Sequence, residues 1–292
     1  MSPKTYAKKF TDEQRDEYKR QQREEATRQL ETAVHAIETS EGFRAWLDAR
    51  ARFHSYSLNN TLLIWGQLPT ATRIASAKVW KTLGRYPAKG STALRVFAPI
   101  EWNVPCQQDD PGARWNAKRE RFERKIRKFK LVPVFDVSQT DGAELPEPPA
   151  PSALHGDSHA ALVPALLKLA AELGYSVDDE ALPEGMGGYC DATAKRIAIA
   201  DGVDPNARVR VLVHELAHAL GVGYAEYGRE IAETIVESAT YVVLRGQGFD
   251  LDATSVPYVA GWGGGAASIS IRTFAEKIDE LARRIEGALD AE

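Results

Sequence analysis

One pentapeptide, His214-Glu-Leu-Ala-His218, restricts what this chain can fold into more than any other part of its sequence. Residues four apart lie on the same face of an α-helix, so a helix would direct both imidazoles toward one point. The motif lies in an apolar stripe of helical spacing and is followed by a candidate C-cap, Gly221; the stripe is Val209, Leu212, Val213, Leu216, Ala217 and Leu220. The spacing is that of zinc hydrolases, with His214 and His218 as metal ligands and Glu215 as general base. The alternative is a buried helix whose two histidines are hydrogen-bonded and bind no metal.

The predicted metal site needs a third protein ligand, because two histidines alone do not hold zinc firmly. Glu230, Glu233 and Glu237 follow at helical spacing and would share one face of a second helix, although such acidic rows are usually solvated. Eighteen residues separate His218 from Glu237, enough for a loop and a returning helix. We predict Glu237 as the ligand, and Glu233 as the side chain that orients an imidazole or as the alternative ligand. The expected cofactor is one Zn²⁺ ion, with Mn²⁺ or another divalent ion as the alternative.

Further groups are expected beside this metal. Glu215 would take a proton from water and pass it to a leaving amine. Tyr241 and Tyr258 are candidates for stabilising an oxyanion. The segment Arg196–Ala200 is typical of a short strand, and we predict that it forms a sheet edge able to pair with an extended peptide.

The charges divide the chain into two halves. Residues 1–140 contain 26 lysines and arginines against 16 aspartates and glutamates, whereas residues 141–292 contain 11 against 25. The segment 141–157 is rich in proline and small residues, as linkers are. We therefore predict an N-terminal domain over residues 1–140, a linker over residues 141–157 and a C-terminal domain over residues 158–292.

The apolar periodicity predicts an α+β protein. Helices are expected over residues 11–47, 58–68, 160–173 and 274–289, besides the two helices of the metal site. Short strands are expected over residues 94–100, 131–137, 175–177 and 196–200, and the segment 115–130 is strongly basic.

The sequence favours a cytoplasmic protein with no membrane partner. No apolar run approaches the ~20 residues that cross a bilayer. The N-terminus lacks the apolar core of a secretion signal, and two distant cysteines do not suggest a disulfide framework.

Amides, aromatic rings and cations alternate in the basic half, as expected of a nucleic-acid site. Cations neutralise phosphates, and exposed rings stack on unpaired bases. Trp65 and Phe97 are expected in the core instead. The residues predicted to bind DNA are Asn59, Asn60, Lys78, Trp80, Lys81, Arg85, Tyr86, Lys89 and Arg95. A soluble basic face without a ligand is the alternative for the cations.

Residues 57–65, 77–84, 87–90 and 134–139 resemble the N-terminal single-stranded-DNA-binding domain of ArdC-type antirestriction proteins. His214–His218 and the segment from Glu237 to Phe249 resemble the metal motif and acidic segment of that family's C-terminal zincin-like metallopeptidase domain. The resemblance implies an N-terminal α+β DNA-binding domain joined to a zincin-like domain, in a protein of a mobile element that protects incoming DNA from restriction. The basic insert at 115–130 and the spacing before Glu237 depart from the family pattern.

Three functions follow from these features. The first is an antirestriction protein that binds single-stranded DNA and has a zinc peptidase-type site. In the second, the protein coats DNA and its zinc domain is a scaffold without turnover. In the third, a metalloprotease cleaves a regulator protein while its basic half docks on duplex DNA. The sequence does not identify a protein substrate.

Overall fold

The structure is a computed structural model of the chain, and it describes residues 11–146, 154–251, 256 and 270–291. In chain order the helices are α1 (Asp12–Ala36), α2 (Ser40–Arg52), α3 (Leu58–Gln67), α4 (Ala77–Thr82), α5 (Val163–Glu172), α6 (Pro205–Ala219), α7 (Tyr224–Tyr227), α8 (Arg229–Gly246) and α9 (Ile271–Leu289). The strands are β1 (Ile74–Ala75), β2 (Arg85–Pro87), β3 (Leu94–Pro105), β4 (Arg114–Asn116), β5 (Arg121–Asp136), β6 (Thr140–Gly142), β7 (Ser176–Glu180), β8 (Gly188–Asp191) and β9 (Arg196–Ala200). The prediction of a mixed α+β protein is confirmed.

The contacts between residues divide the chain into two compact units. The first unit contains Met1–Glu31 and Gly66–Glu144, and the second contains Thr32–Trp65 and Leu145–Glu292. The predicted linear domains stay a prediction, and this division differs from them because residues 32–65 group with the C-terminal half. The predicted linker lies partly outside the described residues. None of the helices in the described part of the chain has the length and apolar character needed to cross a membrane.

The helix predicted over residues 11–47 is interrupted. The structure has α1 and α2 instead, because Thr39 adopts an extended conformation and its hydroxyl accepts a hydrogen bond from the Gly42 backbone as the N-cap of α2. A Cβ added at Gly42 would lie 2.0 Å from the Ala36 carbonyl oxygen. Only glycine therefore permits this tight passage between the two helices.

The first unit is built on an antiparallel sheet with the strand order β1-β5-β3, and β4 pairs with β5. The strands β3 and β5 are longer than predicted and pair continuously from Leu94↔Val134 to Pro105↔Glu123. Leu94, Val96 and Val134 are buried at the inner end of this pair. The basic segment 115–130 is therefore mostly strand, and it forms the outer end of a two-stranded ribbon.

One carboxylate organises the inner end of the same sheet. Asp136 is fully buried, and its side chain accepts hydrogen bonds from the backbone amides of Thr72, Arg73 and Ser138 and from the Ser138 hydroxyl, at 2.7 to 2.9 Å. Burial raises the pKa of Asp136, but hydrogen bonds from Ser138, Thr72 and Arg73 outweigh it, so the pKa lies below its ordinary value.

Asp136→Asn is expected to lower the free energy of unfolding of the first unit by about 3 kcal/mol, because an amide cannot accept all of these bonds. Hydrogen exchange of peptides from residues 66–144 in increasing urea measures this loss of stability. Asp141→Asn, at an exposed site, is the control. The pKa of Asp136 is lower in the folded than in the unfolded protein. Its stabilisation is therefore fully present above the unfolded pKa of about 4 and is lost as pH falls through the folded pKa. Equal stability of the two variants would contradict this role.

The second unit has a three-stranded sheet and a group of packed helices. The strand order is β7-β9-β8, with β7 parallel and β8 antiparallel to β9. Helix α6 begins at the N-cap Asp204, whose side chain accepts a hydrogen bond from the Ala207 amide, and Pro205 fits its first turn. The apolar stripe predicted for α6 is confirmed: Val209, Leu212, Val213, Leu216 and Ala217 are fully buried. This stripe fixes which face of α6 is left for the histidines.

Candidate metal centre

The two motif histidines lie together on α6, as the spacing predicts. The ring centroids of His214 and His218 are 5.2 Å apart, and both side chains are mostly buried. Helix α8 packs against α6 and presents its glutamates to this pair. The site is thus built from one face of each helix.

Glu233 is the carboxylate that reaches both imidazoles. Its oxygens lie 3.6 Å from Nε2 of His214 and 3.9 Å from Nε2 of His218. Ligand atoms of these three residues all lie within 4.8 Å of one another, as a single metal ion requires. Glu237 instead lies 3.4 Å from Nδ1 of His214 and 3.6 Å from Arg210. The structure therefore brings Glu233, our alternative ligand, closer to the Nε2 atoms than Glu237, and the choice of ligand stays a prediction.

The Nδ1 atoms of both histidines face hydrogen-bond acceptors. Nδ1 of His218 lies 2.8 Å from the Val222 carbonyl oxygen, to which it donates. Nδ1 of His214 faces the Glu237 carboxylate. Such contacts fix the tautomer, so that each Nε2 keeps its lone pair for a ligand. Both lone pairs are on the side of Glu233.

The electrostatics of the pair follow from burial and from these carboxylates. Burial lowers the pKa of His214, but the hydrogen bond and charge of Glu237 outweigh it and the pKa is raised. For His218 burial prevails and the pKa is lowered. Burial raises the pKa of Glu237, yet its contacts with His214 and Arg210 hold it below the ordinary value. An electron-rich site of this kind favours a cation.

Glu215 is buried beside the pair, with 7% of its surface exposed. Burial raises its pKa to about 7; the positive charge of His214 opposes the shift, and the charges of Glu233 and Glu237 add to it. Gly188 lies beside this carboxylate, and a Cβ there would lie 2.5 Å from Val211 and 2.7 Å from the Ala198 carbonyl oxygen, so the close packing of β8 requires glycine. A carboxylate with such a pKa suits proton transfer near neutral pH.

Tyr224 is a site residue that sequence reasoning missed. Its hydroxyl donates a hydrogen bond to Glu233, and its ring lies edge-on to His218 at 5.5 Å between centroids. Burial and the Glu233 contact raise the pKa of Tyr224 to about 12, so it keeps its proton. Of the tyrosines predicted as oxyanion donors, Tyr241 is buried and donates to Asp48, and Tyr258 lies outside the described residues. In the sequence, Tyr224 is marked only as an aromatic residue that follows Gly223, and nothing local places it beside the histidines.

An open cleft runs past the histidines. A cavity of about 590 Å³ is lined by His214, Glu215 and Glu233, and a second of about 420 Å³ is lined by the same residues together with Tyr224. Gly188 of β8 lines both. The predicted sheet edge is wrong, because β9 lies between β7 and β8. Strand β8 is the edge that borders the cleft.

The residues predicted to bind DNA are divided between the two compact units. Lys78, Lys81, Tyr86 and Lys89 are exposed in the first unit. Asn59 and Asn60 belong to the second unit. The DNA contacts of this set stay a prediction.

Three of the predicted DNA-binding residues have structural contacts of their own. The ring of Trp80 is 2% exposed and donates to the Phe135 carbonyl, so it is not available for stacking on a base in this conformation. The Arg85 guanidinium donates to Thr140 and Ala143 within the first unit. Arg95 is half-buried, and its guanidinium lies 3.4 Å from the Tyr18 hydroxyl. Trp65 is buried, as predicted.

Comparisons with known proteins identify the family of one segment of the chain. Residues 20–135 match the family described as the N-terminal domain of anti-restriction factor ArdC. The chain is 24% identical, over 97% of its length, to an uncharacterised protein of Bacillus anthracis, and it spans about half (56%) of that relative. Two crystal structures of the antirestriction ArdC protein from plasmid R388 are also similar. The metal-free one has a TM-score of 0.44 at 19% identity, covering 80% of this chain and 83% of that one. The Mn(II)-bound one has a TM-score of 0.47 at 18% identity, covering 91% and 95%. The match assigns residues 20–135 to the family of ArdC N-terminal domains, and this supports an ArdC-type protein.

Proposed function

We propose that this protein binds single-stranded DNA through its first unit and holds one divalent metal ion at a zincin-like, peptidase-type site in its second. The observation that carries the metal site is the convergence of His214 Nε2, His218 Nε2 and Glu233, while both Nδ1 atoms face acceptors. Two imidazoles and one carboxylate are the protein ligands of many catalytic zinc sites. We therefore propose Zn²⁺ as the ion, with Mn²⁺ as the second candidate.

The residues of the cleft have distinct parts in the proposed hydrolysis. A divalent ion held there would lower the pKa of a water molecule and polarise a carbonyl group. Glu215 would accept the proton of the attacking water and pass it to the leaving amine. Tyr224 keeps its proton and holds the Glu233 carboxylate in place. An extended peptide would pair with the outer edge of β8, whose residues Gly188, Tyr189 and Cys190 line the second cavity.

Metal titration of two single variants tests which glutamate is the ligand. We expect Glu237→Gln to weaken metal binding by about 10- to 100-fold, as is typical for a residue that orients a ligand imidazole. Glu233→Gln is expected to weaken it more, because it removes a ligand charge. Calorimetry with Zn²⁺ and then Mn²⁺ on the full chain measures both. The reverse order of the two losses would restore Glu237 as the ligand.

Charge reversal at the exposed lysines tests DNA binding by the first unit. Lys78→Glu, Lys81→Glu and Lys89→Glu are expected to weaken binding of a labelled oligothymidylate. Each lost phosphate contact would reduce the slope of log K against log salt by about 0.7. Lys168→Glu, at an exposed lysine of the second unit, is the control. Equal affinity of the parent for single-stranded and duplex DNA would count against the proposed preference for single strands.

A further inference from the structure

One face of the outer part of the β3–β5 ribbon has two exposed tryptophan rings among its cations, whereas the opposite face has one exposed ring, Phe129, beside Arg127. Directly opposed residues of an antiparallel pair point to the same side of a sheet, and side chains alternate along each strand. The pairs Trp102↔Ile126 and Ile100↔Lys128 therefore share a face, and the pair Trp115↔Phe122 of β4 and β5 lies on it too. We call it the aromatic face, and its exposed members are Trp102, Trp115, Arg124, Lys128 and Lys130.

The rings of this face are unusually open to solvent. Trp102 is 38% exposed and Trp115 is 56% exposed, although large aromatic side chains are generally well buried. Lys128 Nζ lies 5.9 Å from the centre of the Trp102 ring. The Trp115 ring lies edge-on to the Phe122 ring, with 5.1 Å between the ring centroids. Rings and cations are thus interleaved on one surface.

The two faces of the ribbon differ in charge balance. On the opposite face Glu101 pairs with Lys125 at 2.7 Å and with Arg127 at 3.7 Å. Glu123, also on that face, accepts from Arg119 and Arg121. Within the described strands β3, β4 and β5, the aromatic face has no acidic residue from Ile100 to Lys130. Its positive charge is therefore left for an external anion.

We propose that the aromatic face binds single-stranded nucleic acid, with bases on Trp102 and Trp115 and phosphates on Arg124, Lys128 and Lys130. A polyanion complements cations that have no acidic neighbours on their face. Unpaired bases offer the π-faces that exposed indole rings stack on, whereas a duplex keeps those faces covered. The inference deepens the proposed DNA binding of the first unit and rests on it.

Two pairs of substitutions on the same strand separate the faces. Lys128→Gln with Lys130→Gln removes two charges from the aromatic face, and Lys125→Gln with Arg127→Gln removes two from the opposite one. Binding of a labelled oligothymidylate to the full chain is measured by fluorescence anisotropy over a range of salt. We expect the first pair to reduce the salt slope by about 1.4 and the control pair to leave it close to the parent value.

Trp102→Ala tests the stacking separately from charge. It is expected to weaken binding by about 5- to 150-fold, and Trp102→Phe, which keeps a ring, should recover much of the loss. If the parent binds the oligonucleotide and all aromatic-face variants bind it as tightly as the parent, this inference alone is overturned. A parent that binds none overturns the proposed DNA binding as well. If the aromatic-face variants lose binding to phosphatidylserine vesicles but bind DNA as the parent does, the face is assigned to membranes. That result would also overturn the inference.

Discussion

Arg50→Met is expected to lower the free energy of unfolding of the second unit by about 3 to 5 kcal/mol, as removal of one partner from a buried ion pair does. Arg50 is fully buried, and its guanidinium donates to Asp279 and, through two nitrogens at 3.2 and 2.9 Å, to Glu286. Both carboxylates are themselves buried. Without Arg50 two negative charges would remain away from water, and Asp279 would keep its hydrogen bond from Arg283. Desolvation of those charges is the source of the large loss.

This ion pair matters to the metal site through the helices it joins. Arg50 lies on α2, and its two partners lie on α9. Both helices pack against α8, the helix of Glu233. Tyr241 of α8 also donates to Asp48 of α2. Loosening α2 is therefore expected to loosen α8, so the Arg50 variant should also bind metal more weakly.

Urea unfolding of the second unit, followed by hydrogen exchange, measures the Arg50 effect. Arg284→Met is the matched control, because Arg284 pairs with Glu172 at an exposed site and such pairs contribute at most about 1 kcal/mol. Arg50→Met combined with Asp279→Leu and Glu286→Met should regain most of the stability, since no carboxylate is then left buried without a partner and Arg283, which loses Asp279, is 38% exposed to water. Similar stabilities of the Arg50 and Arg284 variants would contradict the account.

Glu215→Gln is expected to slow peptide hydrolysis by about 10²- to 10⁴-fold while metal binding is retained. The amide keeps the size of the side chain but cannot take a proton from water. Glu215 is not among the three groups that converge on the proposed ion, so the metal should stay. A pool of fluorogenic peptides measures hydrolysis, and mass spectrometry of the native protein measures the metal.

Glu184→Gln is the control for the catalytic prediction, because Glu184 lines the same cleft and the charge change is identical. Hydrolysis by the Glu215 variant at the parent rate would show that another group is the base. A parent that binds metal and cleaves no peptide would favour the reading in which this domain is a scaffold and protection comes from coating DNA.

Local patterns predicted the helix of the metal site and its histidine pair. The spacing of His214 and His218 and the apolar stripe around them are properties of one helix, and α6 has both. The choice between Glu233 and Glu237 was different. They lie four residues apart on one face, so periodicity cannot separate them. The loop between α6 and α8 and the phase of α8 decide which oxygen reaches Nε2, and these depend on tertiary packing.

Other differences also come from contacts that are distant in sequence. The strand order β7-β9-β8 puts β9 in the centre and β8 at an edge, and no local feature of Arg196–Ala200 predicts that order. Trp80 was predicted to stack on bases, yet its indole nitrogen donates to Phe135, 55 residues away. The ribbon had a local signal, since Phe122 and Ile126 are four residues apart and point to the same side of a strand, but the density of cations obscured it.

A crystal structure of the chain grown with Zn²⁺, with the ion located by its anomalous scattering, tests the central claim most directly. We predict one ion bound by Nε2 of His214, Nε2 of His218 and a Glu233 oxygen, each at about 2.0 to 2.2 Å, with Glu237 against Nδ1 of His214. No ion near the two histidines at saturating Zn²⁺, or an ion bound without Glu233, would contradict it.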